Sequence, residues 1–150
     1  MSMATDRRVV DILAVRDMVR DIVLSEPDKR AKPFYVINDQ PNCVVGVLFH
    51  RLGWPVVEYL GHDALDWREP SGDVPAYTLA PRVGDDLGIY FTNGARVFLE
   101  DVQSYQDEGN TWWDAYYLAV KGSEVEIEKA LILRHTRQSY STFLNRAVGE

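Results

Sequence analysis

At 150 residues, 46% hydrophobic and 26% charged, the chain has the size and apolar content of one packed domain, which excludes a disordered polypeptide. A single cysteine excludes an internal disulfide and a four-cysteine metal site, and no stretch approaches the ~18 apolar residues of a membrane span. The net charge of −7 is concentrated in residues 34–124, where fourteen acidic side chains face five basic ones, so that surface repels phosphate backbones and neither nucleic acid nor membrane is an expected partner.

Residues 6–24 carry Val9, Ile12, Val15, Val19 and Ile22 at spacings of three and four, which predicts an amphipathic helix capped by Thr5 or Asp6 and stopped near Pro27. "FYVIN", residues 34–38, is a short β-prone run, closed by the turn chemistry of Asn38-Asp39-Gln40-Pro41. Asn42 is the expected N-cap of the next helix, whose Val45, Leu48, Phe49 and Leu52 share a face and whose stop is Gly53. Gly46 on that helix leaves room for a close neighbour, expected to be the helix of residues 95–108 or the one beside it. Pro55 suits the start of a short helix, VVEYL, ended by Gly61. The proline-rich stretch 61–90 predicts a loop, or two short strands around "AYTL".

"FTNGARVFLEDVQSYQDEG" sets two local rules against each other. Asn-Gly between apolar residues signals a hairpin. Ala95, Phe98, Leu99, Val102 and Tyr105 recur with helical period, so the stronger expectation is a helix over 95–108, capped by Thr92 or Asn93 and ended by Gly109. Thr111 with Asp114 forms a capping-box variant opening a helix to about Val120, and the two helices make a tight hairpin. The tail 123–150 alternates briefly at period two, but its Glu, Lys, Ala and Leu content favours helix. The expected fold is mainly α: a single compact domain of about five helices with a minor β element.

Cys43 is the one candidate nucleophile. A thiol at a helix N-terminus feels the positive end of the helix dipole, which favours thiolate. "NCVVGVLFHRLGWPV" resembles the nucleophile helix of NlpC-type peptidoglycan endopeptidases, through Cys43, Leu52, Gly53 and Pro55. That resemblance implies a histidine on a downstream strand. The nearest matching string, "DDLGIYFTNG", has Asp86 or Leu87 at that position, and helical periodicity downstream speaks against a strand there. His50 is seven residues from Cys43, roughly 10 Å along a helix axis, beyond the reach of a catalytic dyad. His50, His62 and His135 stand in no ligand spacing, so neither metal nor cofactor is expected.

The aromatic residues carry more. Tyr105, Trp112, Trp113, Tyr116 and Tyr117 crowd one helical hairpin, with Asp107 and Asp114 among them. Trp112 pairs with Tyr116 and Trp113 with Tyr117 at i, i+4, on two neighbouring faces, so one face is expected in the core, and the other is either buried as well, between helices, or an exposed anchor. A wider set of features is similar to small uncharacterised proteins of actinobacteria and their phages. These have a Tyr-Val strand (Tyr35-Val36), a Cys-x-Val-Gly helix start (Cys43, Val45, Gly46) and a Gln-x-x-Gln-Asp-x-Gly-x-Thr-Trp hairpin. The last is matched by Gln103, Gln106, Asp107, Gly109, Thr111 and Trp112. The resemblance spans roughly residues 34–120 and implies a mostly helical fold, with no particular reaction.

The expected function is binding of another protein through this acidic, aromatic hairpin, by a cytoplasmic, phage-related protein (in the host cytoplasm if phage-encoded). Self-association stays open. The alternatives are a cysteine-dependent hydrolase using Cys43 and a binder of a small cationic or nucleotide-like ligand in the same acidic aromatic region.

Overall fold

The first described element is a strand, although its valines keep helical time. The computed structural model describes residues 7–32, 34–60 and 74–149, with side chains up to residue 139. Arg8–Val10 (β1) pairs in parallel with Ile89–Phe91 (β4), Val9 lying opposite Tyr90. Both strands run directly into helices. The first, Ile12–Ser25 (α1), is capped by Asp11, whose carboxylate accepts from the Ala14 amide at 3.0 Å. The expected helix over 6–24 therefore starts six residues later, and Val9 is 64% exposed instead of buried. The expected caps Thr5 and Asp6 lie outside the described residues. The strand that helical periodicity argued against around residue 90 is present, because its partner is a segment about eighty residues away that local pattern cannot reveal.

Val36–Ile37 (β2) and Gln40–Pro41 (β3) form a hairpin turned by Asn38 and Asp39, both at positive φ. The next helix is Val44–Arg51 (α2), and its N-cap is Cys43, not Asn42. Asn42 instead donates its side-chain amide to the carbonyls of Lys32 and Phe34 at 2.7 and 2.8 Å. Gly46 lies against the backbone of Tyr35: a β-carbon there would sit 2.8 Å from the Tyr35 carbonyl oxygen. The close neighbour is thus this extended segment, not the helix over 95–108. Gly53 and Trp54 close α2 by donating to the carbonyls of His50 and Phe49, with the Phe49 and Trp54 rings in edge contact. Val56–Leu60 (α3) follows.

Residues expected as a loop or strands around "AYTL" form a helix, Ala76–Leu87 (α4), with Pro81 inside it; the earlier part of that stretch, 61–73, lies outside the described residues. A proline four residues on leaves the carbonyl of Tyr77 without its helical donor. Arg96 supplies the replacement. Its Nε and one terminal nitrogen donate to the Tyr77 oxygen at 3.0 and 2.9 Å, and the guanidinium lies 3.8 Å from the centre of the Tyr77 ring. Proline is a breaker only if that oxygen is orphaned, which is why composition misled here. Gly84 gives α4 its contact with β4, since a β-carbon would lie 2.3 Å from the Ile89 carbonyl oxygen.

Asn93–Asp107 (α5) begins with Thr92 as its cap. Its buried polar side chains reach the starts of two other helices. Gln106 accepts from the Val44 amide of α2 at 2.9 Å. Gln103 accepts from Ala76 of α4 at 2.7 Å, and Glu100 from Tyr77 at 3.1 Å. The same Gln103 donates to the Tyr35 hydroxyl at 2.7 Å, which in turn donates to the Val74 carbonyl at 2.5 Å.

Trp112–Gly122 (α6) and Glu124–Gly149 (α7) complete the chain, the latter resolving the ambiguous tail as helix. Helix α1 packs against α2, α5, α6 and α7 around one hydrophobic core. The fold is a single compact, mainly α domain; seven helices are present among the described residues instead of about five, with two small two-stranded sheets. No helix among the described residues is long and apolar enough to cross a membrane.

The Arg96–Pro81 compensation makes a measurable pair. Arg96→Met should cost about 1–2 kcal/mol in urea unfolding, because the Tyr77 oxygen loses charged donors. In a Pro81→Ala background, where residue 81 regains its amide, the same substitution should cost clearly less. Equal costs in both backgrounds would show that Arg96 does not replace the missing helical bond.

Candidate functional site

Helix α6 owes its orientation to its first turn. Thr111 caps it through a bond from the Asp114 amide to the Thr111 hydroxyl at 3.1 Å. Trp112 and Trp113 donate their amides to the carbonyls of Lys29 and Pro27, at 2.8 and 3.0 Å, in the segment just after α1. Arg30 donates to the Gly109 carbonyl in the α5–α6 turn, and the Lys29 ammonium lies 4.5 Å from the centre of the Trp112 ring. Every leading amide of α6 is thus satisfied, and the helix is pinned against the end of α1.

This pinning divides the aromatic residues. Trp112 is 1% exposed and Tyr116 is buried, with its ring edge-on to Phe98 in the core. Trp113 and Tyr117, one residue further round the helix, are 40% and 49% exposed. The Trp113 ring leans on that of Tyr116 at 5.6 Å, and the Lys121 ammonium lies 5.7 Å from the centre of the Tyr117 ring. Burial raises the Tyr116 hydroxyl above its ordinary pKa, opposed by the guanidiniums of Arg20 and Arg16 on α1. Asp17 of the same helix acts on Tyr116 in the opposite sense, so the charge around that hydroxyl is mixed and not simply acidic.

Of the seven residues expected to bind, the structure brings Trp113, Asp114 and Tyr117 to one exposed face of α6. Trp112 and Tyr116 underlie it as core. Tyr105 is half-buried against the core on α5, and Asp107 acts on Cys43 at the start of α2 and on Tyr35. Sequence reading missed Arg16, Arg20 and Lys121. The arginines stand four apart, off the valine stripe of α1, which marks them as one solvent face, but their proximity to α6 has no local signal.

Cys43 has a different environment. It is 2% exposed, and its sulfur accepts from the Gly46 amide at 3.3 Å. Burial pushes the thiol up from 9.0 to about 12, against the lowering effect of nearby amides, and the Asp107 carboxylate raises it further. Among the described residues, no histidine is a main influence on its ionisation. His50 is exposed at the end of α2, His135 is exposed on α7, and His62 lies outside the described residues. The positive end of α2 therefore does not produce a thiolate: desolvation outweighs the dipole.

A folded sample should resist iodoacetamide at neutral pH and be modified at Cys43 once denatured. Because the native thiol has the higher pKa, its contribution to stability is complete below about pH 9 and is lost as pH rises towards about 12. The buried Tyr35 hydroxyl is raised as well and acts in the same direction. Cys43→Ser keeps a capping oxygen and removes the thiol titration, so it should lose less stability than the native chain across that window. Identical pH profiles for the two would contradict the assignment.

No family model, curated protein or solved structure matches this chain.

Proposed function

We propose that this protein works by binding another protein, docking it on the Trp113–Tyr117 face of α6, and that it is a cytoplasmic, phage-related protein. One observation carries the reading: two large aromatic side chains stay half-exposed, side by side, on a helix whose first turn is fully hydrogen-bonded. Tryptophan and tyrosine on a rigid element lose little conformational entropy on binding and dominate interface energetics. Arg16, Arg20 and Lys121, with Asp17 and Asp114, supply a rim that sets register on a partner. The overall charge of −7 weighs against a nucleic-acid partner. A small cationic ligand is a weaker reading, because Lys121 already faces the Tyr117 ring.

The test is affinity capture from an actinobacterial lysate with the native chain and a Trp113→Ala/Tyr117→Ala variant. The variant should fold with nearly unchanged thermal stability, since both side chains are largely outside the core. It should lose the captured partner, corresponding to about 2 kcal/mol or more of binding. Equal capture by both proteins would remove the proposal. Sedimentation of the purified chain distinguishes a second copy from a different partner.

A further inference from the structure

Because β1 and β4 run parallel, α1 and α5 both start at the same end of the pair. In α/β units this carboxyl end of parallel strands is where ligands settle, because the amides of both helix starts converge there. In this chain the place is a cavity of about 580 Å³, closed on its far side by α7. Its apolar wall includes Ile12 and Leu133, the latter exposed, and its charged lining sets Lys129, Arg134 and Arg137 against Asp11 and Glu126.

Three basic side chains of α7 line it: Lys129, Arg134 and Arg137. Lys129 pairs with Glu126 at 3.7 Å, and Arg134 reaches Asp11 only at 4.0 Å. Asp11 is already committed to capping α1. Arg137 has no carboxylate within ion-pair distance among the described residues. Gly94 and Asn93, at the first two positions of α5, line the same cavity, and their amides precede the first helical bond. A pocket with one more basic than acidic side chain and an apolar wall, in a chain of net charge −7, favours something negative at one end and greasy at the other.

We propose that this cavity binds a small organic anion, with a phosphate or carboxylate head held by Arg134, Arg137 and the α5 amides and an apolar body against Ile12 and Leu133. The site is separate from the α6 face, and neither proposal depends on the other.

Calorimetric titration with n-hexyl phosphate, inorganic phosphate and n-hexanol tests it. The hexyl ester should bind, inorganic phosphate should bind more weakly, and hexanol should give no heat. An Arg134→Ala/Arg137→Ala variant, altered only at exposed positions, should keep its thermal stability and lose roughly tenfold or more in affinity for the ester. Co-sedimentation with phosphatidic acid vesicles separates a free anion from a lipid headgroup. No binding of the ester, equal binding by the variant, or binding to vesicles without binding to the monomeric ester would each overturn the proposal. Equal affinity for inorganic phosphate and the ester would overturn the apolar half.

Discussion

Two buried glutamines on α5 hold the domain in register. Neither α2 nor α4 carries a strong cap of its own: one begins at a thiol, a weak acceptor, and the other at a proline, which has no side-chain acceptor to offer. Gln106 and Gln103 reach across to satisfy their leading amides. A buried amide left without an acceptor costs about 1–3 kcal/mol, a large share of a small domain's stability. Gln103 also donates to Tyr35, so a single side chain ties α4 and the segment before β2 to α5. A side chain with both a donor and an acceptor at its tip can do this; a leucine of similar size would leave the Ala76 amide without its acceptor and the Tyr35 hydroxyl without its donor.

The same economy explains the aromatic face. Successive helical residues point about 100° apart, so once Trp112 is locked into the core, Trp113 has to emerge beside it. The lock is built by the segment after α1, through backbone bonds to α6 and the ring contact of Lys29. The exposed pair is therefore held as rigidly as the core beneath it. Cys43 shows the converse. It occupies the place a reactive thiol would need, at a helix start, but packing has removed the water that would stabilise its charge.

Much of the helical content was legible because it is encoded locally. The period of Ala95, Phe98, Leu99 and Val102 overrode the Asn-Gly signal, since a residue pair suggests a turn while four apolar positions specify a buried face. Thr111 and Gly53 stand at the cap and stop positions read from the sequence, and the spacing of the hairpin aromatics placed them on two faces, but which face stays exposed came only from the packing. What was illegible depends on distant partners. Val9 is in phase with α1, and only pairing with Tyr90 makes it a strand residue. Pro81 reads as a breaker until Arg96 is placed beside Tyr77. Gln103 and Gln106 look like ordinary surface residues of a helix, because nothing near them in sequence says that two helix starts will arrive. The convergence of β1, β4 and α7 on one cavity is likewise a product of topology alone.

The parallel pairing of β1 with β4 has a consequence for how the chain is made. Arg8 finds its partner at Ile89, so this strand must wait for about eighty more residues to leave the ribosome before it can pair. Helices α2 and α4 also emerge before α5, the element that caps them. The nascent chain thus carries exposed valines and uncapped helix starts until α5 is released, and its vulnerability to misassembly is greatest just before that moment.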